Sequence, residues 1–110
     1  MIKIFLSHPM SGFTPEEVKS HRDFYLQEIR KILGDEEVEL VANYKDTLID
    51  DPKAEVKYLI HALKHLPEAD IVFFAPTWFK SRGCRIEYMI VQEYNLVYQI
   101  LGHSPHEVLV

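Results

Sequence analysis

The unbroken apolar run Ile71-Val72-Phe73-Phe74-Ala75 stops at Pro76, and the chain then crosses Thr77-Trp78-Phe79-Lys80 to reach Ser81-Arg82-Gly83-Cys84-Arg85-Ile86-Glu87. A short run with no polar interruption reads as a strand buried on both faces, the habit of parallel sheets covered by helices. The segment after it starts a helix, so Glu87 falls on that helix's first turns, projecting between Ile90 and Val91 at 3.6 residues per turn. A carboxylate flanked by apolar neighbours is poorly explained as a plain solvent-facing charge. In an open α/β sheet, ligands bind beyond the carboxyl ends of the strands, which is where this segment lies. Glu87 is therefore the candidate nucleophile.

The rest of the chain alternates strand and helix. Residues 2–6 read as a first strand, followed by the turn-rich Ser7-His8-Pro9-Met10-Ser11-Gly12-Phe13. Thr14 as N-cap, Pro15 at the first helical position and Glu17 three residues after the cap predict a helix start with a capping box. Val18, Tyr25, Ile29 and Ile32 mark its inner face and Gly34 its end. Val38–Val41 is a second strand, and Asn43–Pro52 is a loop without periodicity. A second helix is expected over about Ala54–Leu66 with Val56, Leu59, Ile60 and Leu63 inward. A strand Asp70–Ala75 and a third helix of about Gly83–Tyr94 follow. Asn95 supplies a left-handed stop, Leu96–Leu101 a fourth strand, and the tail ends in apolar Val108-Leu109-Val110. These elements predict one α/β domain over residues 1–110, a flavodoxin/Rossmann-like three-layer α/β/α sandwich with a small parallel sheet.

At 110 residues, with 47% hydrophobic and 26% charged residues, the chain can bury about 65% of its unfolded surface around one core. No apolar run approaches the ~20 residues that cross a bilayer, and Met1–Leu6 is too short for a signal peptide, so no membrane is expected. A single cysteine excludes an internal disulfide and a multi-thiolate zinc site, and it fits a reducing cytoplasm. A net charge of −5 argues against a nucleic-acid polymer as partner. Lys80, Arg82 and Arg85 form the one local basic cluster.

Two loops should meet at the sheet's carboxyl edge. Ser11-Gly12 offers a hydroxyl and an unhindered backbone. Ser81-Arg82-Gly83 offers a hydroxyl, a cation and free N–H groups at a helix start, where anions are favoured. The plain alternative makes Ser81 only an N-cap and Gly83 only a packing residue.

Ser-x-Gly-x-x-x-Glu after the Ala69-Asp70-Ile71-Val72 strand resembles the nucleoside 2-deoxyribosyltransferase-like superfamily. Together with Leu6-Ser7-His8-Pro9-Met10-Ser11-Gly12, the stretch Ala75–Glu87 is most similar to its DUF4406 group, met in phages and bacteria. The resemblance runs from the first strand to the fourth. It implies a flavodoxin-like fold, homo-oligomers, no cofactor and no metal, and a small-molecule nucleoside or nucleotide as partner. It also implies that Glu87 attacks C1′ of a deoxyribose. An oxocarbenium-like state beside a carboxylate is stabilised and then captured, so the residue type suits that chemistry. Within the superfamily, nucleotide hydrolases carry a serine six positions before the glutamate, as Ser81 stands here, and the resemblance therefore favours a 5′-monophosphate. His8, Met10, Ser11, Gly12, Trp78, Ser81, Arg82 and Gly83 are the substrate-binding candidates it implies. Three positions depart from the family pattern. Phe5 replaces a tyrosine that orients the nucleophile, Ala62 replaces a helix-two aspartate, and Met89 replaces a small residue. If that aspartate is an acid catalyst, its loss costs ~10²–10⁴ in rate. His8 or His61 is then the substitute acid, or the chain binds without turnover.

Other candidates have plainer explanations. His61 and His65 have metal-ligand spacing, but Lys57 and Lys64 share their stripe, as on a solvated polar face. Cys84 lies near Arg82 and Arg85, which would lower its pKa, yet no histidine is placed as its base. Trp78 and Phe79 suit either base stacking or a dimer contact. Tyr88, Glu93 and Tyr94 read as helix packing, His103 and His106 as exposed tail residues, and Asp70 as structural. Two functions remain, beside the plain option of a structural oligomer whose sheet edge binds nothing in particular. One is N-glycosidic cleavage or deoxyribosyl transfer through Glu87. The other is a non-catalytic nucleotide-binding module that senses or sequesters a nucleotide-derived signal.

Overall fold

The chain is described here by a computed structural model covering residues 1–41 and 52–105. In order, the elements are β1 (Ile2–Ser7), α1 (Pro15–Leu33), β2 (Val38–Leu40), α2 (Ala54–His65), β3 (Ile71–Phe74), α3 (Arg82–Glu93) and β4 (Tyr98–Ile100). Of the loop expected over Asn43–Pro52, only Pro52 belongs to the described residues. His106 and Val108-Leu109-Val110 also lie outside them.

Local chemistry sets the helix ends. Thr14 Oγ1 accepts the Glu17 N–H at 3.1 Å while Glu17 Oε1 accepts the Thr14 N–H at 2.9 Å, a reciprocal box that satisfies two otherwise orphaned donors. Gly34 closes α1 at φ 67°, and Asn95 takes φ 54° just after α3, as expected of both residues. The strands are shorter by one to three residues than the apolar runs suggest, except β1, which extends through Ser7.

The four strands are parallel in the order β2-β1-β3-β4. This is the flavodoxin-like order, whose winding reverses between β1 and β3. Strand alternation then divides the core. Ile4, Leu6 and Phe73 face one side and cluster with Tyr25 and Ile29 of α1. Phe5, Val72 and Phe74 face the other and cluster with Ala62, Leu66 and Val91, beneath α2 and α3. The result is a three-layer α/β/α sandwich. Phe5 and Ala62, two of the three positions that depart from the resembled family, share this second cluster.

Three inward assignments need correction. Leu33 rather than Ile32 makes the last α1 contact, with Ile32 45% exposed. On α2 the buried position is Ala62, followed by Leu66 just past the helix end, and Val56 and Ile60 sit on its outer flank, more than half exposed. No helix among the described residues is long and apolar enough to cross a membrane.

At the amino edge, Asp70 exchanges two bonds with Lys3. Its N–H donates to the Lys3 carbonyl at 2.7 Å, and its Oδ2 accepts the Lys3 N–H at 2.8 Å. This fits the structural role expected of Asp70. Asp70→Ala should lower stability in urea by about 1 kcal/mol. An unchanged midpoint would mean that the side-chain contact adds nothing to the β1–β3 junction.

Candidate functional site

The ends of β1 and β3 lie side by side at the reversal point, Ser7 opposite Phe74 in register, with the Ala75 N–H donating to the Ser7 carbonyl at 2.9 Å. Ser7 shares a strand face with Phe5 and so points toward α3. Past β3, a short 3-10 turn over Trp78–Lys80 brings the chain to Ser81, whose Oγ accepts the Cys84 N–H at 3.4 Å and caps α3. The buried stripe of α3 is Cys84, Glu87 and Val91, so the carboxylate lies in the middle of an otherwise apolar helix face.

Ser7 Oγ donates to Glu87 Oε1 at 2.6 Å, and Glu87 is only 6% exposed. Among the described residues no donor meets its other oxygen. Burial pushes the Glu87 pKa up to about 7, partly opposed by the Ser7 hydrogen bond, which favours the charged form. Near neutral pH the group is thus divided between acid and carboxylate, with one oxygen fixed by Ser7 and the other unmet by a donor among the described residues. The residue that holds Glu87 is Ser7, two residues beyond Phe5 on the same face. The alternation of a strand extended by one residue was the available signal for it.

Cys84 is buried beside this pair. Burial pushes its thiol up to about 11 despite the Ser7 and Ser81 hydroxyls and Arg85, which favour the thiolate. That overturns the lowered pKa expected from its basic neighbours. The thiol stays protonated and is a poor nucleophile.

The two loops do meet, through a residue that the sequence did not single out. Glu55, in the first turn of α2, accepts from Ser11 Oγ through Oε1 at 2.9 Å and from the Arg82 guanidinium through Oε2. The chain turns sharply between Met10 and Phe13, with the Phe13 N–H on the Met10 carbonyl at 3.3 Å and Gly12 at φ 86°. A turn with positive φ at its third residue calls for glycine. Gly83 carries no such constraint. A methyl group there would sit 3.9 Å from Leu59 Cδ1 and from Ser81 Oγ, an ordinary contact.

The other candidates have protein partners. Arg85 donates to the Phe79 carbonyl at 2.8 Å, and the Lys80 ammonium stands 6.0 Å from the Phe79 ring centre. Trp78 stacks on Tyr88 at 4.1 Å and 13°, within an aromatic cluster that includes Phe74 and Tyr98. Met10 is half-buried at the turn. His8 is 2% exposed, and neither ring nitrogen has a hydrogen-bond partner among the described residues. It packs against Tyr25 of α1 at 5.5 Å, on the face of the sheet away from Glu87. Burial, then the Arg22 charge, lowers its pKa to about 3, the Pro9 backbone opposing. His8 is therefore neutral near pH 7 and unsuited to be the substitute acid. His65 pairs with Glu68 and packs against His61 at 4.9 Å. No group of three or more His, Cys, Asp or Glu able to hold a metal occurs among the described residues.

Two outcomes follow for stability. Glu87 has a folded pKa above its unfolded value of 4.5, so its contribution is full below 4.5 and is lost as pH rises through about 7. Glu87→Gln should therefore stabilise the chain by about 3 kcal/mol in urea near pH 8 and by little near pH 4. Equal effects at both pH values would show that ionisation is not the cause. Gly83→Ala should raise stability by about 0.5–1 kcal/mol, since the backbone suits alanine. A loss of stability would show that the start of α3 needs glycine for its own packing.

No family model, curated protein or solved structure matches the chain, so the functional reading rests on the geometry of this edge.

Proposed function

We propose that the chain cleaves the N-glycosidic bond of a (deoxy)nucleoside 5′-monophosphate, or transfers its deoxyribosyl group, with Glu87 as nucleophile. One observation carries this reading. A buried carboxylate stands at the carboxyl edge of β1 and β3, one oxygen held by Ser7 and the other unmet by any donor among the described residues. In the proposed step the free oxygen of ionised Glu87 attacks C1′, and the C1′–N bond breaks with its electron pair going to the base, which takes a proton from water. Water, or a second base, then attacks C1′ of the glycosyl ester and restores the carboxylate. Ser7 keeps the attacking group aimed. Ser81, Gly83 and Ser11-Gly12 are the proposed contacts to sugar and phosphate.

The second reading, a nucleotide-binding module without turnover, is favoured by a specific feature. Phe5 and Ala62 lie in one apolar cluster, so the positions where the resembled enzymes carry polar groups here fill the core. With the aspartate absent and His8 neutral, departure of the base is left with His61 or water as the proton source, and the same site would bind without cleaving. In either case we infer a homo-oligomer in a reducing cytoplasm. Ile86 and Met89 on α3 and Tyr98 and Ile100 on β4 leave apolar surface exposed, and the lone thiol is buried.

Incubation with a panel of deoxynucleoside 5′-monophosphates should release free base. The rate should rise with pH through about 7 as Glu87 ionises. Glu87→Gln should bind the same ligand and release base only at background rate. Ser7→Ala should move the acid limb of the profile to higher pH, because it removes the group that favours the carboxylate. Binding without base release by the wild type would select the second reading. No binding of any nucleotide would reject both.

A further inference from the structure

Glu55 makes the contacts that an anionic ligand would make at this edge. Its two oxygens separately accept the Ser11 hydroxyl, from the loop after β1, and the Arg82 guanidinium, from the start of α3. A hydroxyl and a guanidinium converging on two oxygens of one anion is a donor set that phosphate also recruits. The carboxylate belongs to neither loop. It reaches in from α2, and both it and Arg82 are more than half exposed, at 58% and 78%. An ion pair this wet is weak and easily exchanged. Arg82 is also the cation of the basic cluster that holds no backbone carbonyl or ring of its own loop, unlike Arg85 and Lys80.

We propose that Ser11 and Arg82 form an anion subsite in which Glu55 is the built-in occupant, and that a phosphate-bearing ligand binds by exchanging with the Glu55 carboxylate. The proposal rests on reading this edge as the ligand site, but not on any chemistry at Glu87. It has a consequence for selectivity. With Glu55 in place the Arg82 charge is neutralised, so a phosphate at this subsite gains only the difference between itself and the displaced carboxylate, and discrimination between a nucleoside and its monophosphate is weak. With Glu55 neutralised, the Arg82 charge is uncompensated and the monophosphate is preferred.

The test is titration of inorganic phosphate at low salt, followed through the Ser11 and Arg82 backbone amides and the Arg82 Nε–H by NMR. Glu55→Gln should bind phosphate at least tenfold more tightly than the wild type, with shifts centred on Ser11 and Arg82. The double variant Glu55→Gln/Arg82→Ala should lose that gain. Glu93→Gln, which removes the same charge in the last turn of α3, should bind as the wild type does. In the wild type, saturating phosphate should move the Glu55 side-chain carboxyl resonance together with Arg82, a readout that needs no substitution. Unchanged phosphate affinity in Glu55→Gln, a gain that survives loss of Arg82 or appears equally in Glu93→Gln, or a static Glu55 resonance would each overturn the proposal. Base release separates the two readings. A phosphate gain without base release leaves the subsite standing and rejects the Glu87 chemistry. Base release with no phosphate gain does the reverse.

Discussion

The contact between the Ser7 hydroxyl and the Glu87 carboxyl is the constraint on which the rest of the site depends. It joins the last residue of β1 to the inner face of α3, two elements separated by most of the chain, and places a titratable group where apolar packing would be more stable. A carboxylate taken out of water with one neutral hydrogen bond is under-compensated, so its proton is held more tightly. The same burial that destabilises the anion makes it a better acceptor of a positive centre. A lysine or arginine beside Glu87 would relieve the desolvation and quench that reactivity. The described structure puts a serine there instead.

Topology explains why this pair lies beside the loops that follow β1 and β3. Reversal of winding between β1 and β3 leaves a gap at their carboxyl ends, because α1 covers one face while α2 and α3 cover the other. The loops past both strands empty into that region, and Glu55 from α2 ties them together. The edge thus combines a buried, partly ionised carboxyl with an exposed and mutually neutralised Glu55–Arg82 pair. The apolar packing of Phe5 with the Ala62 region firms the sheet–helix contact beneath.

Local signals proved readable. The Thr14–Glu17 box, the Gly34 stop and the left-handed Asn95 each act within a few residues, and each is found where the chain's own pattern puts it. The unbroken Ile71–Ala75 run identified the central buried strand, and helical phase put Glu87 on a buried face. Contacts made across the chain were not readable. Ser7 and Glu87 are 80 positions apart, and Ser11 and Glu55 are 44 apart, so no periodicity links them. Cys84 was misjudged for the same reason. Adjacency to Arg82 and Arg85 suggested a lowered thiol pKa, whereas the fold desolvates Cys84 and pairs Arg82 with the distant Glu55. Val56 and Ile60 show a further limit, since apolar residues on the flank of a helix need not find the core.

The most direct measurement is a pH titration of the Glu87 side-chain carboxyl by carbon-13 NMR in the otherwise unaltered protein. A midpoint close to 7, falling toward the ordinary carboxyl range on urea unfolding, is what burial beside a single serine hydroxyl predicts. A midpoint near 4.5 in the folded chain would mean that water or an unrecognised cation already solvates the carboxylate, and the account of a desolvated, poised nucleophile would be wrong.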